Sequence, residues 1–304
     1  MTNMEPSLTE AEPPTVGKTT RVASWRLLLS NPVTVVSAVV LLAVTVIAFI
    51  GPWIAPYGVN KTNVVNALQP PSGEHWFGTD DLGRDIFSRV LVATQVSLKV
   101  AVVSVAIALV AGLLIGVIAG YRGGWLDMVL MRVVDVMFAF PVLLLALAIV
   151  AILGPGLTTT MLAIGVVYTP IFARVARAST LSVSVEPFVQ VSRTMGTGNG
   201  YILARHILPN IAGTLIVQTS LSLAFALLAE AALSFLGLGV QPPQPSWGRM
   251  LFDAQGFLGQ AWWMSVFPGA AICLTVLAFN LAGDGMRDVL DPKQRTMLEA
   301  RRKR

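Results

Sequence analysis

At 304 residues, with 55% hydrophobic and only 12% charged side chains, the chain is wrong for a water-soluble globule and right for a lipid bilayer. Its formal net charge of +5 does not mark a nucleic-acid binder, because Lys and Arg lie at the ends of apolar runs rather than gathered on one face. The single cysteine, Cys273, excludes an internal disulfide, a CxxC redox pair and a thiolate-rich metal site, and in its apolar run it reads as a small buried residue.

Residues 1–30 read as a polar, flexible tail, with Glu5, Glu10, Glu12, Pro13 and Pro14 followed by Lys18, Arg21 and Arg26. Within it, Gly17-Lys18-Thr19 resembles the end of a phosphate-binding loop. The first glycine of that loop would fall at Glu12 and no strand precedes it, so no nucleotide is expected there. The tail is not read as a cleaved signal, because its basic residues lead into an apolar run longer than a signal peptide's and no small-x-small cleavage site follows.

The first span is predicted from about Val33 to Ile54, and with the polar segment after it makes up a unit over 31–95. A core of five further spans is predicted over 96–290, followed by a short tail, 291–304. The second span, about Val100 to Gly120, carries Gly112, Gly116 and Gly120 at four-residue spacing, which leaves three bare backbone patches on one helix face and predicts close packing there. Residues 136–173 hold no charged side chain and are too long for one crossing of a core about 30 Å thick. Gly154-Pro155-Gly156 divides them, giving spans of about Leu126 to Leu153 and Thr158 to Ala178. The fifth span is predicted from about Asn210 to Leu238 and the sixth from about Trp263 to Met286, joined by the Pro-rich stretch around Pro242 and Pro243.

Between the fourth and fifth spans lies a polar stretch, 185–210, that cannot cross a bilayer, since each Arg at the membrane centre costs roughly 2.5 kcal/mol or more. Val185, Phe188, Val191 and Met195 recur at helical spacing and predict a short surface helix with an apolar face, ended by Gly196. A second helical piece, Tyr201 to Leu208, runs into Pro209, where the next apolar run begins. Such a face needs a cover: a bilayer surface or a groove on another protein.

Six spans put both termini on one side. The N-terminal tail, the 121–132 turn, the 174–205 stretch and the segment from 287 onward together hold 16 of the 21 Lys and Arg, and the opposite side holds five: Lys61, Arg84, Arg89, Lys99 and Arg249. That bias predicts cytoplasmic termini and a cytoplasmic 185–210 loop.

Few residues suggest chemistry. His75 and His206 lie on opposite sides of the membrane, so no His-based triad or HExxH site is available and catalysis is not expected. Asp80, Asp81 and Asp85 lack calcium-loop spacing and read as loop and helix-start residues. Arg132 and Asp135, one helical turn apart, read either as an intrahelical pair or as part of a gate. Pro141 should bend the third span and could shape a pathway. Glu230, deep in the fifth span towards its outer end, leaves two readings: it lines a pathway, or it is a buried carboxylate bonded to neighbouring helices. Asn280 and Asp284 are expected to satisfy helix-end or interhelical hydrogen bonds.

From Gln190 to Pro209 the pattern of Gln190-Val191-Ser192, Gly196, Leu208 and Pro209 resembles the EAA loop of ABC importer permeases, the loop that docks on the ATP-hydrolysing subunit; Gln190, Val191 and Ser192 stand where Glu-Ala-Ala is usual. Five further blocks, in order, are similar to the C-type permease of dipeptide and oligopeptide ABC importers. They are His75 to Asp85; Gly116 to Tyr121; Asp135 to Pro141 with Leu153 to Gly156; Glu230 to Gly239; and Phe279 to Pro292. The resemblance covers about Ser24 to Arg295 and implies an all-α polytopic membrane protein with six transmembrane helices in the type I importer permease fold. It implies a bacterial plasma membrane location, no cofactor and no metal in this chain, and ATP with Mg on two partner ATPases. It also implies a second homologous permease in a heterodimer and an external peptide-binding protein. Its implied coupling surface is Phe188, Gln190, Val191, Arg193, Met195, Gly196, Leu208 and Pro209. An importer of nickel or another small solute in the same class stands as the alternative; a secondary transporter would call for charged or discontinuous spans in matching halves.

Overall fold

The computed structural model describes residues 31–290; the two predicted tails and the Gly17-Lys18-Thr19 stretch lie outside the described residues. Five helices are long and apolar enough to cross a bilayer, and one bent pair makes up to six. The first, α1 (Pro32–Ile54), starts with Asn31 accepting from Val33 N and Pro32 in its first turn, an arrangement suited to a helix start. Helix α2 (Ile86–Arg122) begins fourteen residues earlier than the apolar run alone suggests, because Asp85 caps it by accepting from the Ser88 backbone at 2.8 Å. Helices α3 (Gly124–Phe138) and α4 (Val142–Leu153) form the bent pair. Helix α5 (Leu157–Ser184) returns to the first end. Short helices α6 (Pro187–Thr194) and α7 (Asn199–Ile202) follow, then a wide π turn over Leu203–Ile207 and α8 (Leu208–Phe235). A short α9 (Trp247–Ala254) precedes the last span, α10 (Trp263–Leu290).

The most extensive helix contact is between α2 and α5, and the small residues of α2 explain it. A Cβ on Gly112 would lie 2.7 Å from Thr169 O, one on Gly116 2.7 Å from Ala176 Cβ, and one on Gly120 2.8 Å from Arg177 O. All three approaches are closer than a side chain tolerates, so the two backbones meet along this stripe. Around the seam, Val105, Ile164, Val167 and Phe172 form a dry core. Helix α1 leans on α2 and α10, and its other side carries exposed Val36, Val39 and Leu42, an apolar face suited to lipid.

The third span differs from a single bent helix over 126–153. It breaks at Ala139–Pro141 and turns by 90°, because Pro141 has no N–H to give Met137 and disfavours helical geometry in the residue before it. Arg132 does not pair with Asp135. Asp135 instead accepts from Arg174 Nη2 of α5 at 2.8 Å, and the Arg174 guanidinium also lies over the Phe138 ring. An interhelical partner can approach a carboxylate head-on, whereas a neighbour three residues along must fold back over its own helix. Asp127 makes a two-pronged pair with Arg177, also on α5, with one contact at 2.6 Å. Cys273 is exposed rather than buried. Asn280 and Asp284 take no side-chain hydrogen bond among the described residues, and Asp284 is exposed; the interhelical bond at this level runs from Ser220 Oγ to Phe279 O.

At the end opposite α6, residues 55–85 fold into a compact cover. Asn63 N donates to Leu82 O and Leu68 N to Asp80 O, and Trp263 Nε1 of α10 donates to Thr79 O at 3.0 Å. Asp80 accepts from the backbone of Leu82 and Arg84 and pairs with the Arg84 side chain at 2.6 Å. Arg89 and Arg249 join this network through Asp253, at 3.6 and 2.9 Å. Asp81, beside it, has its carboxyl pushed above the ordinary carboxylate range by burial and by neighbouring Asp80.

Candidate functional site

The segment between α5 and α8 carries the residues singled out as a docking surface. Pro187 sits in the first turn of α6, and Gly196, at φ +76°, lets the chain leave the helix. In α6 itself only Val189 is buried, against a core that includes Ile202 and Ile207. Val185, Phe188, Val191 and Met195 point the other way; Met195 is 79% and Phe188 42% exposed. The helix is therefore anchored by one apolar side chain and offers a second apolar face that nothing among the described residues covers. Fully burying Phe188 or Met195 in a partner would contribute roughly 1.5–3 kcal/mol each.

Side-chain contacts hold this face in place. Gln190 Nε2 donates to Ser184 O at 3.3 Å, tying α6 to the end of α5. Ser192 Oγ lies 3.3 Å from His206 Nε2, and the His206 ring packs between Phe188 and Tyr201, at centroid distances of 5.8 and 5.9 Å. Arg193 lies over the ring of Tyr121 at the end of α2, and Tyr121 Oη bonds Asn199 Oδ1 at 2.9 Å. Tyr121, Asn199 and His206 were not singled out as members of this site. The sequence position of Tyr121 gives no sign that it reaches a segment about 70 residues on.

Leu208 and Pro209 open α8 without a break, unlike the expected boundary at Pro209. Pro209 lacks the N–H that would bond Arg205 O, and the wide turn just before it, closed by Leu208 N to Leu203 O, absorbs the mismatch. The segment is thus continuous with a membrane-length helix.

Of the two candidate pathway residues, Pro141 sits at the 90° break between α3 and α4. Glu230 is completely buried, accepting from Ser97 Oγ of α2 at 3.2 Å and Ser234 Oγ at 2.8 Å. Ser97 Oγ in turn accepts from the Trp247 backbone at 3.1 Å, joining α2, α8 and α9 at one point. The geometry is that of a carboxylate bonded between helices. No group of three or more His, Cys, Asp or Glu that could hold a metal occurs among the described residues.

Comparison with known proteins agrees with this architecture. The family model described as "Binding-protein-dependent transport system inner membrane component" matches residues 112–296, and the "N-terminal TM domain of oligopeptide transport permease C" matches residues 21–71. The dipeptide transport system permease protein DppC of Alkalihalophilus pseudofirmus is 45% identical over 288 residues, 93% of this chain and 95% of that protein. The probable D,D-dipeptide transport system permease protein DdpC of Escherichia coli is 44% identical, covering 88% and 90%. The glutathione transport system permease protein GsiD of Pectobacterium atrosepticum is 43% identical with the same coverage. Among solved structures, an inward-facing MetNI methionine ABC transporter chain aligns with a TM-score of 0.56 at 19% identity, over 66% of this chain and 95% of that one, a likeness of fold.

Proposed function

The chain belongs to the binding-protein-dependent transport system inner membrane component family, and from that premise we propose that it is the C-type permease subunit of an ABC importer for dipeptides or oligopeptides. The observation that carries the reading is the α6 face: Phe188, Val191 and Met195 exposed on a helix that is itself held rigidly by Val189, Gln190, Arg193 and His206. A face held this way can transmit a displacement; a floppy loop would absorb it.

In this reading α6 seats in a groove of a partner ATPase, one of two that bind ATP with Mg, and a second homologous permease completes the pathway. An external peptide-binding protein delivers cargo. The excess of Lys and Arg at the α6 end supports placing that end, and both termini, in the cytoplasm of a bacterium. Closure of the ATPase pair moves α6. Because the 199–235 helix is unbroken through the turn at 203–207, the motion reaches the span that holds Glu230 and opens the pathway outward.

The test is to tag the chain at its C-terminus, solubilise native membranes in mild detergent, and identify what co-purifies with wild type and with Phe188→Asp. Wild type should bring a second permease and ATPases, and the variant should keep the permease and lose the ATPases. A wild-type chain that purifies without any ATPase, in conditions that preserve other membrane complexes, refutes the reading.

A further inference from the structure

Deepening that reading, we infer that the cavity beside Lys99 receives the carboxylate end of the cargo, with Lys99 as its counter-ion. The cavity has a volume of about 760 Å³, within the range of small-molecule sites. Helices α1, α2, α8 and α10 contribute to its wall. Its polar lining is Lys99 and Gln95, one turn apart on α2, Thr45 of α1, and Asn60 and Gln244 from the two segments outside the bundle. Apolar side chains, Phe49 and Leu223 among them, line the rest.

Lys99 stands out because of where it is and what it lacks. From Arg122 at the far end of α2, a rise of about 1.5 Å per residue puts Lys99 about 35 Å away, at the outer edge of a bilayer core. Among the described residues no carboxylate oxygen lies within 4.0 Å of its ammonium. The acid buried in this half of the bundle, Glu230, is no counter-ion: it is bonded to Ser97, which lies two residues from Lys99 and so about 200° around the helix. Of the carboxylates near the outer cover, Asp80, Asp81 and Asp253 pair with Arg84, Arg89 or Arg249 and Asp85 with His75, while the exposed Glu74 makes no ion pair with Lys99. Lys99 is exposed at this outer edge and has no carboxylate partner among the described residues, so its ammonium is free to meet an anion that enters the cavity.

The neighbours of Lys99 say which anion. Three carboxamides, Gln95, Asn60 and Gln244, offer both donors and acceptors, as peptide bonds require, and the apolar wall suits side chains. A lipid phosphate would need the cation alone. The site is therefore built for a short peptide entered carboxylate-first between the outer segments.

This inference rests on the peptide-importer reading, and the test separates the two. The complete importer, with its partner permease, ATPases and binding protein, is reconstituted in vesicles with wild type, Lys99→Gln or Lys99→Arg, and tri-alanine uptake is measured against concentration. Loss of a charge-assisted hydrogen bond should lower kcat/KM about 10-fold or more for Lys99→Gln, while Lys99→Arg retains most of it. In parallel, carbodiimide activation of tri-alanine should join its carboxylate to the Lys99 amine of wild type, read by mass spectrometry, with no such adduct from tri-alanine amide. Equal uptake by wild type and Lys99→Gln overturns the inference. So does the absence of a Lys99 adduct while wild type transports tri-alanine, which would leave a lipid phosphate as the partner of this residue. No tri-alanine uptake by the wild-type assembly overturns the peptide-importer reading itself, and this assignment with it.

Discussion

The Arg193 guanidinium carbon lies 4.9 Å from the centroid of the Tyr121 ring, and the same tyrosine bonds Asn199 Oδ1 through its hydroxyl. One side chain at the end of α2 therefore clips both α6 and α7. Since α2 also packs along α5 through the glycine stripe, a push on α6 meets a continuous stack of backbone rather than a loose loop.

Tyr121→Ala removes both contacts at once. A cation–π contact at an exposed site contributes about 0.5–1 kcal/mol and a hydrogen bond about 1 kcal/mol. Local opening of residues 187–202 should rise roughly tenfold, seen as faster amide hydrogen exchange there with no change in the cores of α2 and α5. Tyr121→Phe keeps the ring and should fall between. Unchanged exchange in Tyr121→Ala would show that the clip does not hold the segment.

Gly116→Val tests the α2–α5 seam. The first added carbon would already sit 2.7 Å from Ala176 Cβ, so the helices must part, at a cost of about 1–3 kcal/mol or more. The purified variant should melt well below wild type. Gly269→Ala on α10, where an added Cβ meets nothing within 4 Å, should melt with wild type.

Much of this architecture is legible in the sequence, and the reasons are local. Apolar runs mark the spans, Gly112, Gly116 and Gly120 mark a close approach, and Pro141 marks a bend where the structure has a full break and a 90° turn. What depends on neighbours was not legible. Arg132 is nearest Asp135 in sequence, yet Arg174, 39 residues on, takes it. Cys273 sits in an apolar run whether that run faces core or lipid, and it is exposed. In α6 the spacing picked out one apolar face, while the residue that anchors the helix, Val189, lies off it. Lys99 reads in the sequence only as a charge to be counted; its cavity is formed with α1 before it and with α8 and α10 long after it.

Asp81 gives a pH-dependent test in the outer cover. Its folded carboxyl titrates above the ordinary range because burial and Asp80 disfavour its charge. The sign follows: the ionised form is penalised in the folded state, so the penalty is present at neutral pH and disappears once pH falls below the ordinary carboxylate range, where folded and unfolded forms are both protonated. Asp81→Asn should therefore raise the melting temperature at pH 7 and lose that advantage near pH 3. A variant less stable than wild type at pH 7 would mean that the pairing with Arg84, at 3.8 Å, outweighs the desolvation.

Glu230 separates shape from charge at the junction of α2, α8 and α9. Its two carboxylate oxygens accept from Ser97 and Ser234, and Ser97 and Ser234 themselves accept from the backbones of Trp247 and Val240. Glu230→Gln preserves the volume, keeps one acceptor and places an amide that can donate to the other serine, so it should melt within a few degrees of wild type. Glu230→Ala opens a cavity and leaves two buried hydroxyls without an acceptor, which together cost about 2–5 kcal/mol. Thermal unfolding in detergent should therefore rank wild type with Gln and well above Ala. If Gln instead falls to the level of Ala, the negative charge itself is required at this position. The serines would then be orienting a carboxylate whose charge acts on something beyond them, and the reading of Glu230 as a bond between helices would have to be given up.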